Sequence, residues 1–370
     1  MPNKSVSKGQ LAERDCGGMP LMWDVEPVSK SCKSNEEEEG DKKPLFLQCA
    51  ELILPWLTPL ELANVSLTCK SFSLISKTIT LRRVSDSSRG FENLAIPFRN
   101  TVDDTPYAFF IYTPSLILPS DSQFLRQPWG LNFAATRDRV GKLAMESVNL
   151  VDEEGQSVSG CDCDTCGDVG DEGDRCPCSS LAGLDVANEC GPSCKCRLEC
   201  GNRLSQKGIP VRLKIVRDRR KGWGLFAEQL IQKGQFVCEY AGELLTTKEA
   251  RRRHRCYDEL SSQGQFSSAL LVVREHLPSG RTCLRMNIDA TRIGNIARFI
   301  NHSCDGGNLS SKLVRRSGAL FPQLCFFALE DIEKDGELTF SYGEIRTRPV
   351  GLPCFCGSSS CFGTLPSENT

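Results

Sequence analysis

Cysteine is the residue whose spacing says most about chemistry. Of 21 cysteines in 370 residues, nine fall between Cys161 and Cys200. They read C-x-C-x2-C (Cys161, Cys163, Cys166), C-x-C (Cys176, Cys178) and C-x3-C-x-C-x3-C (Cys190, Cys194, Cys196, Cys200). The N-terminus "MPNKSVSKGQ" has no apolar signal region, so a reducing compartment is expected, where clustered thiols bind metal rather than pair as disulfides. Zinc takes four tetrahedral ligands, and nine does not divide by four. Three zinc ions make twelve bonds, which nine thiolates supply when six are terminal and three bridge. Gly, Asp and Pro between the cysteines oppose helix and strand, so metal is expected to hold this segment together. A second run, Cys354, Cys356 and Cys361 in "CFCGSSSC", leaves a zinc one ligand short. Only three histidines occur (His254, His276, His302), so a Cys/His finger has little to build from.

Two further stretches carry candidate chemistry. "IGNIARFINHSC" places Ile293, Ile296, Ala297 and Ile300 on helical spacing and then changes to Asn301, His302, Ser303 and Cys304. The pattern predicts an amphipathic helix that ends either in an ordinary cap or in a ligand-holding group. In "KGWGLFA", Gly222, Gly224 and Ala227 satisfy the dinucleotide fingerprint after the strand-like "VRLKIV". The helix that fingerprint requires is missing, because "EQLIQKGQF" runs to Gly234 and another strand. What remains is a glycine turn whose backbone can approach a ligand closely.

The elements that must position these groups are mainly β. "VRLKIV", "GQFVCEYAGEL", "SALLVV", "CLRMNIDA", "LCFFALEDI" and "GELTFSY" are short runs bounded by Gly, Pro or Asp. One helix interrupts them, from about Thr247 through Leu260, with Thr246 and Glu249 spaced as a capping box. Residues 1–43 read as a disordered tail, 44–85 as short packed helices, and 86–155 as a loosely structured connection with some strand. The formal net charge is −2 with a pI near 6.1, so no global basic field attracts nucleic acid. "RDRRK" and "RRRHR" are local clusters that could touch DNA phosphates. No apolar run approaches the roughly 18 residues of a membrane span, and the chain reads as intracellular and soluble.

The ordered motifs "RKGWGLFA", "CEYAGE", "RFINHSC", "GELTFSYGE" and "CFCGSSSC", after a nine-cysteine segment, resemble a SET-domain protein lysine methyltransferase of the suppressor-of-variegation group. "NIDATRIGNIARFINHSCDGGNLS" is most similar to the plant suppressor-of-variegation-related histone methyltransferases. The resemblance spans about Gly160 to Gly363. It implies a knot-like SET β-fold over 205–345, a pre-SET zinc cluster over 156–204 and a small post-SET zinc site over 350–366, behind a short helical N-terminal module. It implies S-adenosyl-L-methionine as cofactor, contacted by Gly222, Trp223, Gly224, Asn301, His302, Tyr342 and Phe355. Tyr342 is the implied catalytic tyrosine, with Phe340 and Tyr240 in the substrate channel; phenylalanine at 340 implies tolerance of higher methylation. Cys304 is the implied fourth ligand beside Cys354, Cys356 and Cys361, giving thirteen zinc-bound cysteines and four zinc ions. The implied partners are a histone tail or nucleosome, in the nucleus on chromatin, with a role in silencing.

Where family members carry Tyr-x-Phe-x-x-Asp, this chain has "GQFSSALLVVREHLPSG", which keeps Phe266 but no tyrosine. "ILPWLTPLELANVSLTCKSF" resembles an F-box, which implies a ubiquitin-ligase adaptor as partner. The competing reading is a non-catalytic chromatin-binding or adaptor protein on a degenerate SET fold; Tyr342, Asn301, His302 and a complete post-SET site favour the enzyme.

Overall fold

The structure is a computed structural model that describes residues 44–118, 160–163, 166, 178, 186–262, 268–276, 283–343 and 352–366. The N-terminal tail, Cys176, Phe266 and residues 119–159 lie outside the described residues.

The chain enters through three helices, α1 (Leu45–Ile53), α2 (Pro59–Ser66) and α3 (Lys70–Ser85). Thr58 and Glu61 form a reciprocal capping box at the start of α2, with Pro59 pre-set at its first position. Near the end of α3, the buried Arg83 donates to the Leu57 carbonyl at 2.6 Å and to the Tyr107 hydroxyl at 2.9 Å. This ties the helices to the segment that follows.

Among its described residues, 86–118, that segment carries two short strands, β1 (Phe98–Arg99) and β2 (Ile111–Tyr112). It is far from loose. Phe91, Ile96, Phe98, Tyr107, Phe110 and Tyr112 are all buried, and Phe98 meets Trp223 and Phe299 edge-on at 5.2 and 5.9 Å. Scattered Pro, Asp and Ser hid the core role, because aromatic residues in irregular backbone have no period to read.

The remaining strands are β3 (Val186–Glu189), β4 (Leu213–Asp218), β5 (Gly222–Ala227), β6 (Phe236–Glu239), β7 (Gly242–Leu245), β8 (Leu270–His276), β9 (Cys283–Gly294), β10 (Asn301–His302), β11 (Leu309–Arg316), β12 (Gln323–Ala328) and β13 (Thr339–Phe340). Helix α4 (Thr247–Ser262) separates β7 from β8. The strands pair in the orders β1-β4-β5, β3-β11-β12-β6 and β2-β9-β7 with β8 on β9, while β10 pairs with β13 in parallel. β4 and β5 form an antiparallel hairpin, with Leu213 and Ile215 buried and Asp218 opposite Gly222 at the turn. β12 is apolar almost throughout because neighbours cover both its faces.

The amphipathic helix expected in "IGNIARFINHSC" does not form. Ile293 and Gly294 complete β9, a single 3-10 turn spans Ile296–Phe299, and Asn301–His302 pair as strand. Asn295 forces the break: its side chain accepts from Ala297 N–H at 3.1 Å and donates to the Glu239 carbonyl at 2.6 Å. An asparagine that caps the next turn and satisfies a neighbouring strand holds the chain out of the α-helical path.

Candidate active site and cysteine centres

The parallel pairing of β10 with β13 sets Asn301 opposite Thr339 and His302 opposite Phe340. Two motifs distant in sequence thereby meet side by side. Ser303 N–H donates to the Phe340 carbonyl at 3.1 Å, and Tyr342 folds back so that its hydroxyl donates to the Ile300 carbonyl at 2.7 Å. Phe340 lies against the ring of Tyr342 at 4.9 Å and that of Phe326 at 4.7 Å. Burial raises the Tyr342 phenol above its ordinary pKa, so it stays protonated at neutral pH. Tyr240 is buried under the same cluster, its hydroxyl on the Ala269 carbonyl at 2.8 Å, and burial raises its pKa too.

His302 is nearly sealed. Its Nδ1 accepts from Tyr342 N–H at 3.2 Å, which assigns the ring proton to Nε2, 3.3 Å from Cys304 Sγ. Burial lowers its pKa and favours this neutral form. The ring therefore links the phenol-bearing segment to a thiol cluster.

That cluster comprises Cys304, Cys354, Cys356 and Cys361, whose sulfurs all lie within 4.8 Å of one another. Cys304 and Cys354 are 3.8 Å apart. A tetrahedron with metal–sulfur bonds of about 2.3 Å has edges of about 3.8 Å, so the donor set fits zinc. In the 160–200 segment the groups Cys161/Cys190/Cys194/Cys196, Cys166/Cys190/Cys196/Cys200 and Cys161/Cys163/Cys166 share members. Cys161, Cys166 and Cys190 form a triangle of 3.7–3.8 Å edges, and Cys178 stands 3.6 Å from Cys194. Shared sulfurs are what bridging thiolates require.

The glycine turn lies beside this assembly. Gly222 has φ +83°, a conformation that side chains other than glycine rarely adopt. A Cβ on Gly224 would come within 3.0 Å of Asn301 Nδ2 and 3.1 Å of Glu337 Oε1. Trp223 packs under Arg217, whose guanidinium sits 5.5 Å from the ring centre. A cleft of about 350 Å³ opens between Asp218, Arg220 and Lys221 of the hairpin turn and Cys354, Phe355 and Gly357. Arg220 reaches over the half-exposed Phe355 ring at 5.9 Å.

The structure brings together most of the residues singled out in sequence. It adds Glu337, which accepts from Asn301 Nδ2 at 2.8 Å and from Lys221 Nζ at 2.6 Å. It also adds Asn308, which brackets β13 through Thr339 N–H and the Glu337 carbonyl, both at 2.9 Å. The signal for Glu337 was its place inside "GELTFSY", since an acid beside a strand near an asparagine amide is a ready acceptor.

A sequence profile of the SET domain matches residues 222–343, the span that contains the glycine turn and the β10–β13 crossing. The methyltransferase domain of human SETMAR superposes with a TM-score of 0.57 at 27% identity, covering 77% of this chain and 99% of that one. KRYPTONITE, solved with mCHH DNA, an H3(1–15) peptide and SAH, superposes at 0.54 with 27% identity over 76% of this chain and 53% of that one. Fold and site thus define a SET-domain methyltransferase. Histone-lysine N-methyltransferase SUVR3 of Arabidopsis thaliana is 57% identical over 95% of this chain and 100% of its own length. The chain belongs to the SET-domain histone-lysine N-methyltransferases, and its reaction is methyl transfer to a histone lysine. The shared length includes α1–α3.

Proposed function

We propose that Tyr342 is the catalytic tyrosine, aligning the substrate lysine in a channel walled by Phe340 and Tyr240. The observation that carries this is the Tyr342 hydroxyl donating its proton to the Ile300 carbonyl at 2.7 Å. With that proton committed, the phenol oxygen offers the incoming amine an acceptor. It takes one N–H of the neutral amine and so aims the nitrogen lone pair. A protonated phenol held there is no base at pH 7. Deprotonation is left to the channel, where desolvation and a neighbouring cation disfavour the ammonium of a lysine whose free pKa is about 10.4. Phe340 adds no hydroxyl that could hold a water against the amine, which supports acceptance of more than one methyl group.

S-adenosyl-L-methionine supplies an electrophilic methyl group on a cationic sulfur when bound. The backbone at Gly222–Gly224, the Asn301 amide and the backbone of His302 would hold it, with Phe355 on the neighbouring cleft as a cover. Glu337 fixes the Asn301 amide in place. Zinc would sit among Cys304, Cys354, Cys356 and Cys361 and draw Phe355 over that cleft, and the nine cysteines of 161–200 would hold three more zinc ions if three thiolates were shared. The substrate is a histone tail presented on chromatin in the nucleus, with silencing as the consequence, a reading supported by the H3(1–15) peptide held by KRYPTONITE.

The test is radiolabelled methyl transfer to nucleosomes and to a free H3-tail peptide, with wild type and Tyr342→Phe. Loss of one preorganised hydrogen-bonding group lowers turnover by about 100-fold or more. Equal rates for the two proteins would overturn the assignment of Tyr342.

A further inference from the structure

Of the two basic clusters in the sequence, the structure ties up Arg217, Arg220 and Lys221 of the first and leaves one face of the second open. In "RDRRK", Arg217 binds Asp103 at 3.1 Å and covers Trp223, Lys221 binds Glu337, and Arg220 lies over Phe355. The second cluster is on α4. There Ala250 is buried, Arg253 binds Glu243 and Asp289 at 2.7 Å each, and Tyr257 donates to Asp289 at 2.7 Å, so this face docks on β7 and β9. Arg252 is held by Glu249. Lys248, Arg251 and Arg255 are exposed at spacings of three and four residues, which puts them on one outward face.

The first turn of this helix carries both Lys248 and Glu249, and the Glu249 carboxylate is taken up by Arg252 and Arg253. The last turn holds no base.

A second observation adds charge at the same end. Leu245 stands opposite Asn287, and α4 begins two residues later, so Arg285, two positions back along β9, flanks the start of the helix. Arg274 is directly opposite Arg285 on β8, so two cationic residues share this register. The Arg285 guanidinium donates through Nε to Asn287 Oδ1 at 3.1 Å.

We propose that the outward face of α4, formed by Lys248, Arg251 and Arg255 and backed by Arg274 and Arg285, docks the phosphate backbone of nucleosomal DNA. The proposal rests on the nucleosomal substrate proposed above. Three cations along two helical turns can follow one strand of phosphates, and the contact is independent of base sequence. β9, on which α4 packs, leads directly into the turn at Ile296–Phe299 and the site strand β10. DNA held on α4 would keep a tail that emerges beside it within reach of the site.

The experiment uses the full chain with Lys248→Gln, Arg251→Gln and Arg255→Gln combined. Fluorescence anisotropy with mixed-sequence duplex DNA is read across a salt series, beside methyl transfer to nucleosomes and to a free H3-tail peptide, and thermal melting. The expected result is an affinity for duplex DNA about 10-fold or more weaker, with a log–log salt slope shallower by about three, one for each lost phosphate contact. KM rises on nucleosomes, while peptide kinetics hold and the melting temperature is unchanged or higher. DNA binding by the variant equal to wild type, or none by wild type, overturns the proposal. Weakened binding only to core histones stripped of DNA also overturns it, by assigning the face to an acidic protein surface. Absence of peptide methylation by wild type would instead sink the Tyr342 assignment and leave the DNA result standing.

Discussion

The cysteine segment around residues 160–200 and the β-core of the catalytic domain are held together by different forces. Among the described residues, the buried neighbours of Cys161, Cys166, Cys190, Cys194, Cys196 and Cys200 are chiefly one another, with Cys163 and Cys178 at the edge. There is no leucine or phenylalanine in that cluster. The catalytic core instead gathers aliphatic and aromatic side chains from every sheet and from the helical module into one continuous body. The two regions meet through polar contacts. β3 pairs with β11 in parallel, and the Glu189 carboxylate accepts from Ser205 N–H at 2.7 Å and from Gln206 Nε2 at 2.9 Å. Arg203 adds bonds to the Gly191 and Cys196 carbonyls at 2.8 and 3.1 Å. A short, glycine-rich segment can thus hold a fixed shape without burying apolar area, provided that metal replaces the missing core.

The largest break in this comparison is metal removal. Structural zinc contributes on the order of 10 kcal/mol to the folding of a small site. Chelation should therefore release the 160–200 segment and the Cys304/Cys354/Cys356/Cys361 cap while the β-core keeps its cooperative melt. Proteolysis followed by mass spectrometry reads this directly, with cuts expected in those two segments first. A core that melts together with the cysteine segment would show that the two are one cooperative unit.

The converse break targets the core. Phe98 is almost fully buried between Tyr107, Trp223 and Phe299. Phe98→Ala should cost about 3–5 kcal/mol of stability and leave the zinc content per folded molecule unchanged. Denaturant titration paired with metal analysis checks both halves.

What the sequence revealed follows the same division. Thiol spacing is local information, so the cysteine groups at 161–200 and 354–361 could be read as metal sites, and the strand runs bounded by Gly and Pro found their places. Asn301 and Cys304 stood out as a polar end to an apolar run, but their roles and that of Tyr342 were legible only through the resemblance to a family, because the contact that unites them is the β10–β13 pairing across a long loop. The stretch "IGNIARFINHSC" was misread as a helix because period alone cannot see Asn295 bonding Glu239 and Ala297. The core role of Phe98 and Phe110 was hidden for a related reason: burial there comes from parallel pairing with β4 and β9, a non-local event.

The smallest effect tests the junction itself. Glu239 ends β6 with one carboxylate oxygen sealed and unpartnered, and Arg316 Nη2 lies 3.5 Å from the other. Burial is the main cause that pushes its pKa up to about 7, the Arg316 charge opposes the rise, and the nearby Glu189 adds to it. The folded state therefore binds a proton more tightly than the unfolded chain, whose glutamate titrates near about 4.3. Stability is greatest below that unfolded value and falls as pH rises towards about 7, above which the cost of a buried carboxylate is fully present. Between pH 6 and 8 this single group should lower stability by about 1 kcal/mol. Glu239→Gln keeps the shape and removes the titration, so its unfolding free energy should be flatter by that amount over the same interval. Parallel pH slopes for the two proteins would mean that the junction solvates its carboxylate, and that the metal-held and apolar-held regions meet across water.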